Sequence, residues 1–382
     1  MRASDKDKSK PKKIAATAAG AAALAGAVAH VAHAQGSGKI KIGLLGCGGR
    51  GNGALRQCLQ ADPGIEVIAL ADLFENKARS TRDRIAKDEK FKDRVKIDDD
   101  HLFSGFDCHE KLAQCEADLL LMATAPAFRG RQMMAAIKAG KHIFTEKPVA
   151  TDVAGCKEVM EASKLAKEKG LAIVCGTQRR HEFSRVELMK RIHDGQIGEL
   201  VGGRAWRSYI DQQIASAKEV CRKYNNGSEQ GWEKYNGDIW DHIFAEFEYP
   251  NGARCLSFSG HSPGTQRYDE KIVGSKGTSD CSSSISGENP WKFEGEHVDG
   301  MDQEHIDLIK SIRSGNPLNE GQRIAESTLT AIGARIAAYT GRTFNWSWLL
   351  NASKQDLVPK QEDMKAGPGI FHSIASGCDP LV

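Results

Sequence analysis

Three glycines near the start of the chain have the spacing of a phosphate-binding loop. Gly46, Gly48 and Gly51 match the pattern G-x-G-x-x-G, and Gly49 and Arg50 lie between the last two. In such a loop the first glycine makes a tight turn, the second lets the backbone approach a pyrophosphate, and the third lets a helix pack on a strand. The helix that follows directs its amides and the positive end of its dipole at the phosphates. The spacing therefore predicts a dinucleotide site.

An acidic residue after the next strand indicates which dinucleotide the loop takes. Residues 39–45 and 65–71 are apolar runs typical of buried strands, and residues 52–60 between them have helical spacing. Asp72 lies 21 residues after Gly51, where a carboxylate binds the 2′-hydroxyl of a ribose. Because a carboxylate repels a 2′-phosphate, the sequence favours NAD over NADP.

Strands and helices then alternate up to residue 175. Apolar runs typical of strands lie at 117–124, 141–145 and 171–175, and helical patterns lie at 131–139 and 151–169. Strands that alternate with helices of this length form a mostly parallel sheet with right-handed connections. With the glycine loop at its start, this pattern predicts an α/β fold that begins with a Rossmann dinucleotide-binding domain.

The tripeptide Glu146-Lys147-Pro148 follows the strand at 141–145 directly. Together with the glycine loop and the segment 123–126, it resembles the signature of the glucose–fructose oxidoreductase / inositol 2-dehydrogenase / rhizopine-catabolism family (Gfo/Idh/MocA). Other segments resemble the entry to the second domain of that family and its later strands and helices: 176–181, 247–252, 274–278, 304–312 and 319–340. The resemblance covers about residues 39–348.

The resemblance implies a domain organisation and a reaction. It implies a Rossmann domain at 35–176, an α/β domain at 177–350 with an open, mainly antiparallel sheet, and a C-terminal tail at 351–382. Cofactor lies between the domains, a sugar or cyclitol binds against the sheet, and family members commonly form dimers or tetramers, so a homo-oligomer is expected. Lys147 then lies near the nicotinamide and the reacting hydroxyl, where a lysine stabilises a developing alkoxide and relays its proton. The motifs assign these residues to the cofactor: Gly46, Gly48, Gly49, Arg50, Gly51, Asp72, Thr124, Pro126, Glu146, Lys147 and Gln178.

The sequence departs from the family pattern early in the second domain. Family members usually carry an Asp and a His one helical turn apart there, with the His as acid/base. Residues 210–224 are predicted to be helical but contain no His, so this segment is deleted or rewritten. His181 is the catalytic substitute that we favour, with packing at the domain entry as its other interpretation. Further candidates are substitutes for the acid/base, Asp238, Asp241 and His242, and tryptophans that either stack on a sugar or pack in the core, Trp206, Trp232 and Trp240.

The first 34 residues have the features of a secretory signal peptide. Residues 1–13 are basic and polar, residues 14–29 carry no charge, and Ala32-His33-Ala34 offers small residues for cleavage. An anchoring helix is the alternative, although a span wants about 20 strongly apolar residues and this run is mostly Ala and Gly. Lys12-Lys13 stands where a twin-arginine signal has its arginine pair. We expect an exported, periplasmic protein without stable membrane insertion.

Charge and cysteine spacing exclude other classes. Residues 1–34 hold six basic and two acidic residues, which leaves 47 basic and 48 acidic residues in the rest of the chain. A near-neutral body lacks the surplus of Lys and Arg that a nucleic-acid binder needs. The ten cysteines are scattered without any C-x-x-C pair, so we expect mostly free core cysteines and no zinc site.

Three functions remain open. The first is an NAD-dependent oxidoreductase acting on a hydroxyl of a sugar or cyclitol, with a tightly held cofactor because free NAD is scarce outside the cytoplasm. The second is a redox-neutral glycosidase or lyase with retained cofactor, as occurs in this family. The third is a non-catalytic relative that has lost the acid/base segment.

Overall fold

A parallel sheet forms the first half of the protein. The computed structural model describes residues 38–208, 242–260 and 267–358. The order of the first sheet is β3-β2-β1-β4-β5-β6, and every pairing in it is parallel. Successive strands are added on one side of β1 up to β3 and on its other side from β4 onwards. A doubly wound sheet binds its ligand at the point between β1 and β4 where this order reverses. The strands are β1 Ile40–Leu45, β2 Ile65–Asp72, β3 Leu102–Ser104, β4 Leu119–Met122, β5 His142–Thr145 and β6 Ile173–Cys175.

Helices connect these strands and cover both faces of the sheet. They are α1 Gly49–Ala61, α2 Glu75–Ala86, α3 Cys108–Gln114, α4 Arg129–Lys138 and α5 Val153–Lys169. The helix predicted at 52–60 begins three residues earlier, at Gly49, because its cap Gly48 has no side chain that would mark the start. The three-residue edge strand β3 was not predicted, since it follows a charged stretch and is too short to form a clear apolar run.

The second sheet is mixed and mostly antiparallel. Its order is β13-β12-β11-β10-β7-β9-β8, and only β7 and β9 pair in parallel among its described strands. Helix α6, Phe183–His193, packs Leu188 and Ile192 on this sheet. The strands are β7 Leu200–Ser208, β8 His242–Glu248, β9 Arg254–Gly260, β10 Arg267–Gly274, β11 Gly277–Ser279, β12 Ser284–Gly287 and β13 Trp291–Lys292. Both sheets together confirm the predicted α/β fold class.

The chain then returns to the first sheet. Helix α7, Gly300–Arg313, buries Leu308, Ile309 and Ile312 in the core that α1 also covers. Helix α8, Gly321–Thr340, buries Ile324 and Ala325 on the opposite face, beside α4 and α5. A last short helix, α9, spans Trp346–Asn351. The C-terminal helices thus complete both apolar layers of the Rossmann sheet, and α7 reaches the carboxyl ends of β5 and β6.

The cysteines of the described residues are all free, as predicted. Five are buried, and Cys115, Cys255 and Cys281 are half-buried. No helix in the described ranges is both long and apolar enough to cross a membrane. Within the same ranges no three His, Cys, Asp or Glu side chains come together in a group that could hold a metal ion. The predicted signal peptide, Cys221 and Cys378 lie outside the described residues.

Candidate cofactor and active site

The glycine loop has the shape that its spacing predicts. Gly46 has a φ of +95°, and a Cβ there would lie 2.8 Å from the backbone carbon of Ala123. A Cβ at Gly51 would lie 1.9 Å from the carbonyl oxygen of Gly46, so only glycine lets α1 pack this close to β1. A Cβ at Gly48 or Gly49 would meet no atom within 4 Å. The two glycines at the amino end of α1 are therefore open to an approaching phosphate.

Asp72 ends β2 beside this loop. Its Oδ2 accepts the backbone N–H of Cys47 at 2.7 Å, and its Oδ1 accepts the N–H of Phe74 at 3.0 Å. Each carboxylate oxygen has a second lone pair, which leaves acceptor capacity for ribose hydroxyls. The structure therefore brings Asp72 to the loop, as the sequence predicts.

A buried arginine that the sequence analysis missed joins the ends of β4 and β5. The Arg129 guanidinium donates to the carbonyl oxygens of Thr124 and Glu146, each at 2.6 Å, and to that of Pro148. Burial lowers the pKa of Arg129 to about 10, which leaves it charged at neutral pH. Pro126 opens a short 3-10 turn just before it. No sequence spacing marks Arg129, because its partners are backbone carbonyls.

The tripeptide after β5 places one side chain inside the protein and the next outside. Glu146 is buried and forms an ion pair with Arg50 of the glycine loop. A Cβ at Gly176 would lie 2.6 Å from Oε2 of Glu146, so this glycine makes room for the carboxylate. Lys147 is exposed, and its ammonium has no ion pair within the described part of the chain. The Lys147–Pro148 peptide bond is cis.

His181 is a buried residue of the segment that links the two sheets. The 3-10 turn Gln178–Arg180 precedes it, and the carbonyl of Gln178 accepts the backbone N–H of His181 at 3.0 Å. Nδ1 lies 2.7 Å from Oδ2 of Asp307, and Nε2 lies 3.8 Å from Oε2 of Glu320. Burial lowers the pKa of His181, but the two carboxylates outweigh it and raise the pKa to about 9. The ring is thus a buried imidazolium, which favours the packing interpretation, and its acid/base role stays a prediction.

Helix α7 adds two buried polar residues to the site. The Glu304 side chain is 1% exposed, and Nη2 of Arg50 lies 3.7 Å from its Oε1. Burial and the Glu146 carboxylate raise the pKa of Glu304 to about 8. His305 is fully buried, its ring centroid lies 4.1 Å from that of Phe144, and burial lowers its pKa to about 3. The sequence places both residues only in a late helix, because contacts with residues so far away along the chain leave no local spacing.

The remaining candidates do not join this group among the described residues. Asp238, Asp241, Trp232 and Trp240 lie outside those residues, as does the predicted helix at 210–224. His242 begins β8 on an exposed position. Trp206 stacks on Phe258 with 4.3 Å between ring centroids. For Trp206, packing on the sheet is therefore the observed role.

The fold and the glycine loop define a dinucleotide-binding protein of the Rossmann class. Residues 40–177 match the family model GFO_IDH_MocA, which is described as an oxidoreductase family with an NAD-binding Rossmann fold. The Rossmann part of the chain therefore matches the Gfo/Idh/MocA oxidoreductase family, the family that its motifs resemble.

Curated relatives match over less than half of the chain. Inositol 2-dehydrogenase of Salmonella typhimurium is 26% identical over 171 residues, which are 44% of this chain and 46% of that protein. A glycosyl hydrolase family 109 protein of Solibacter usitatus is 26% identical over 187 residues, which are 48% of this chain and 40% of that protein. The chain therefore matches less than half the length of these relatives.

Solved structures match over both sheets. Aldose-aldose oxidoreductase from Caulobacter crescentus, complexed with glycerol, superimposes with a TM-score of 0.60 at 17% identity, over 80% of this chain and 99% of that chain. Apo scyllo-inositol dehydrogenase from Lactobacillus casei gives a TM-score of 0.57 at 15% identity, over 79% of this chain and 97% of that chain. At this identity the likeness shows a shared fold.

Proposed function

We propose that the protein is an NAD-dependent oxidoreductase that acts on a hydroxyl of a sugar or cyclitol. One observation carries the proposal. The open amino end of α1 at Gly48 and Gly49 lies between Asp72, which suits a ribose, and the end of β5, which presents an exposed lysine. The family match of residues 40–177 supports the class of reaction.

The residues at the end of β5 can present and support a catalytic lysine. A bound nicotinamide supplies a hydride acceptor for the carbinol carbon. Lys147 would stabilise the alkoxide that develops on the reacting oxygen and take part in moving its proton. Arg129 holds the carbonyls on both sides of Lys147, and the Arg50–Glu146 pair ties the same turn to the glycine loop. The chain therefore fixes the backbone of Lys147 while its ammonium stays exposed.

The proposal extends to cofactor, compartment and assembly. Asp72, followed by Leu73 and Phe74 rather than by a cation, supports NAD over NADP. The basic leader at residues 1–34 supports export to the periplasm. Because free NAD is scarce outside the cytoplasm, we expect the cofactor to stay bound to the protein and to be recycled there. A homo-oligomer is proposed from the family resemblance.

The experiment starts from the purified full chain. Acid denaturation is expected to release NAD, and a panel of sugars and cyclitols is expected to change absorbance at the reduced-nicotinamide band. Lys147→Ala should keep the dinucleotide and lose at least about 100-fold in turnover. Lys138→Ala is the matched control, since Lys138 is an exposed lysine at the end of α4.

Three results would argue against this function. Full turnover by the Lys147→Ala variant would remove the lysine from the mechanism. A chain that binds no dinucleotide at all would refute the cofactor assignment. Bound dinucleotide without any turnover would instead support the non-catalytic alternative.

A redox-neutral glycosidase is the second candidate. It is supported by the similarity to the glycosyl hydrolase family 109 protein, which equals in identity the similarity to inositol 2-dehydrogenase. Transient oxidation of a ring hydroxyl acidifies the neighbouring C–H and permits elimination of the aglycone. Release of nitrophenol from nitrophenyl glycosides, without net reduction of the cofactor, would select this function over the first.

A further inference from the structure

A buried carboxyl group without a hydrogen bond lies behind the glycine loop. Neither carboxyl oxygen of Glu304 has a hydrogen-bond partner in the part of the chain that the structure describes. Its nearest cation is Arg50, whose Nη2 lies 3.7 Å from Oε1. That guanidinium is already engaged, because Nε binds Glu146 and Nη1 donates to Gln57 at 2.8 Å. Glu304 therefore shares a cation that belongs first to another carboxylate.

The other acids around Glu304 are better paired. Glu146 has Arg50, Asp307 has His181, and Glu320 has Arg323 as hydrogen-bonded cations. The groups that face Glu304 come from every element around it: Arg50 on α1, Glu146 after β5, Cys175 at the end of β6, His181 in the linker and Glu320 before α8. Of the four carboxyl groups, Glu304 is the one without a hydrogen bond to a cation.

Physical chemistry decides which of these acids holds a proton. Burying an ionised carboxylate without hydrogen bonds costs far more free energy than burying the neutral acid. Such a group therefore binds a proton and becomes neutral. Because the three paired carboxylates are stabilised by their cations, the proton goes to Glu304. The raised pKa of about 8 agrees with this assignment.

We propose that Glu304 binds a proton when a dinucleotide occupies the glycine loop, so that cofactor affinity depends on pH through this residue. Arg50 is the physical link, because it lies in the loop and also next to Glu304. A pyrophosphate at the amino end of α1 adds negative charge beside Arg50 and disfavours ionised Glu304. The inference rests on the proposed function only in assuming that a dinucleotide binds there. Glu304 is a positioning residue that acts through Arg50.

The size of the effect follows from simple electrostatics. One unit of charge roughly 10 Å away changes a pKa by about one unit at an effective dielectric constant near 20. Binding would then raise the pKa of Glu304 from about 8 to roughly 9, and the protein would take up about half a proton near pH 8.5. The affinity for NADH would weaken by up to about tenfold between pH 7 and pH 10. NAD⁺ would show a smaller effect, because its ring carries a positive charge.

Calorimetry of NADH binding tests the proposal. Titrations of the full chain at pH 8.5 in phosphate and in Tris, which differ in ionisation enthalpy, give the number of protons taken up. The wild-type protein should take up about half a proton and Glu304→Gln almost none. Glu158→Gln is the control, because Glu158 lies on α5 at the opposite face and desolvation also raises its pKa. Equal uptake by wild type and Glu304→Gln would overturn the proposal.

A second measurement needs no dinucleotide and separates this inference from the proposed function. Infrared or ¹³C spectra of the dinucleotide-free protein should show one carboxyl group that titrates near pH 8 and is missing in Glu304→Gln. Absence of such a group would overturn the proposal even if NADH binds. Its presence in a protein that binds no NADH would refute the cofactor site and the coupling but not the proton on Glu304.

Discussion

The buried imidazolium of His181 should make the free energy of unfolding depend on pH in a defined way. Its folded-state pKa of about 9 lies above the ordinary value of 6.5, so the native state binds a proton that the unfolded state loses. The stabilisation is fully present below about pH 6.5 and is lost as the pH rises through 9. One pKa unit corresponds to about 1.36 kcal/mol. The rise of the His181 pKa from 6.5 to about 9 therefore corresponds to about 3 kcal/mol in the free energy of unfolding.

Replacing His181 by Gln should remove this term. Urea unfolding at pH 6 should show the variant to be about 3 kcal/mol less stable than wild type, because Asp307 loses its hydrogen-bonded cation and Glu320 loses a nearby positive charge. By pH 10 the difference should shrink to about 1 kcal/mol or less, since the wild-type ring is then neutral too. His193→Gln, at an exposed position at the end of α6, is the control and should follow wild type at every pH.

Two outcomes would refute this reasoning. One is a stability difference between wild type and His181→Gln that stays constant from pH 6 to pH 10, which would indicate lost packing rather than a lost charge. The other is a His181 resonance that titrates near its ordinary pKa in NMR spectra of the folded protein. Asp307→Asn should lower the His181 pKa, which provides a second variant if His181→Gln folds poorly.

Further predictions concern the loop, the turn after β5 and Glu304. Gly48→Ala should leave the free energy of unfolding unchanged but abolish dinucleotide binding by calorimetry, because its Cβ meets no protein atom and would occupy the approach to the phosphates. Gly51→Ala should instead lower the midpoint of thermal unfolding, since its Cβ would lie 1.9 Å from a carbonyl oxygen. Arg129→Met should destabilise the fold by about 3 kcal/mol in urea, because three carbonyls lose a charged donor; Arg129→Lys should recover part of this. Glu304→Gln should flatten the fall in wild-type stability between about pH 4.5 and 8, where only the unfolded state releases this proton.

Local features of the sequence predicted most of the first sheet and the cofactor loop. Strands and helices there follow from apolar spacing, and Gly51 and Asp72 act on neighbours that the same βαβ unit supplies. In each case the motif and its structural context lie within one short segment. The second sheet was predicted only through the family resemblance, because its strands have no motif of their own.

Contacts between distant segments of the chain could not be predicted from the sequence. Asp307, which raises the pKa of His181, lies 126 residues further along the chain. Glu304 meets Arg50 only because α7 returns to the first sheet, and Arg129 binds carbonyls that carry no side-chain signal. The electrostatics of the site depend on these long-range contacts, so the spacing of titratable residues alone does not predict their charge.

The return of α7 and α8 also determines when the first sheet can fold during synthesis. Its two apolar layers are completed by residues between 308 and 325, so a nascent chain that ends at residue 177 exposes one unfinished layer on each face. The apolar core of the Rossmann half is consequently complete only when helices α7 and α8 are present. Its glycine loop and Glu146 acquire their final surroundings only after the second sheet has been synthesised.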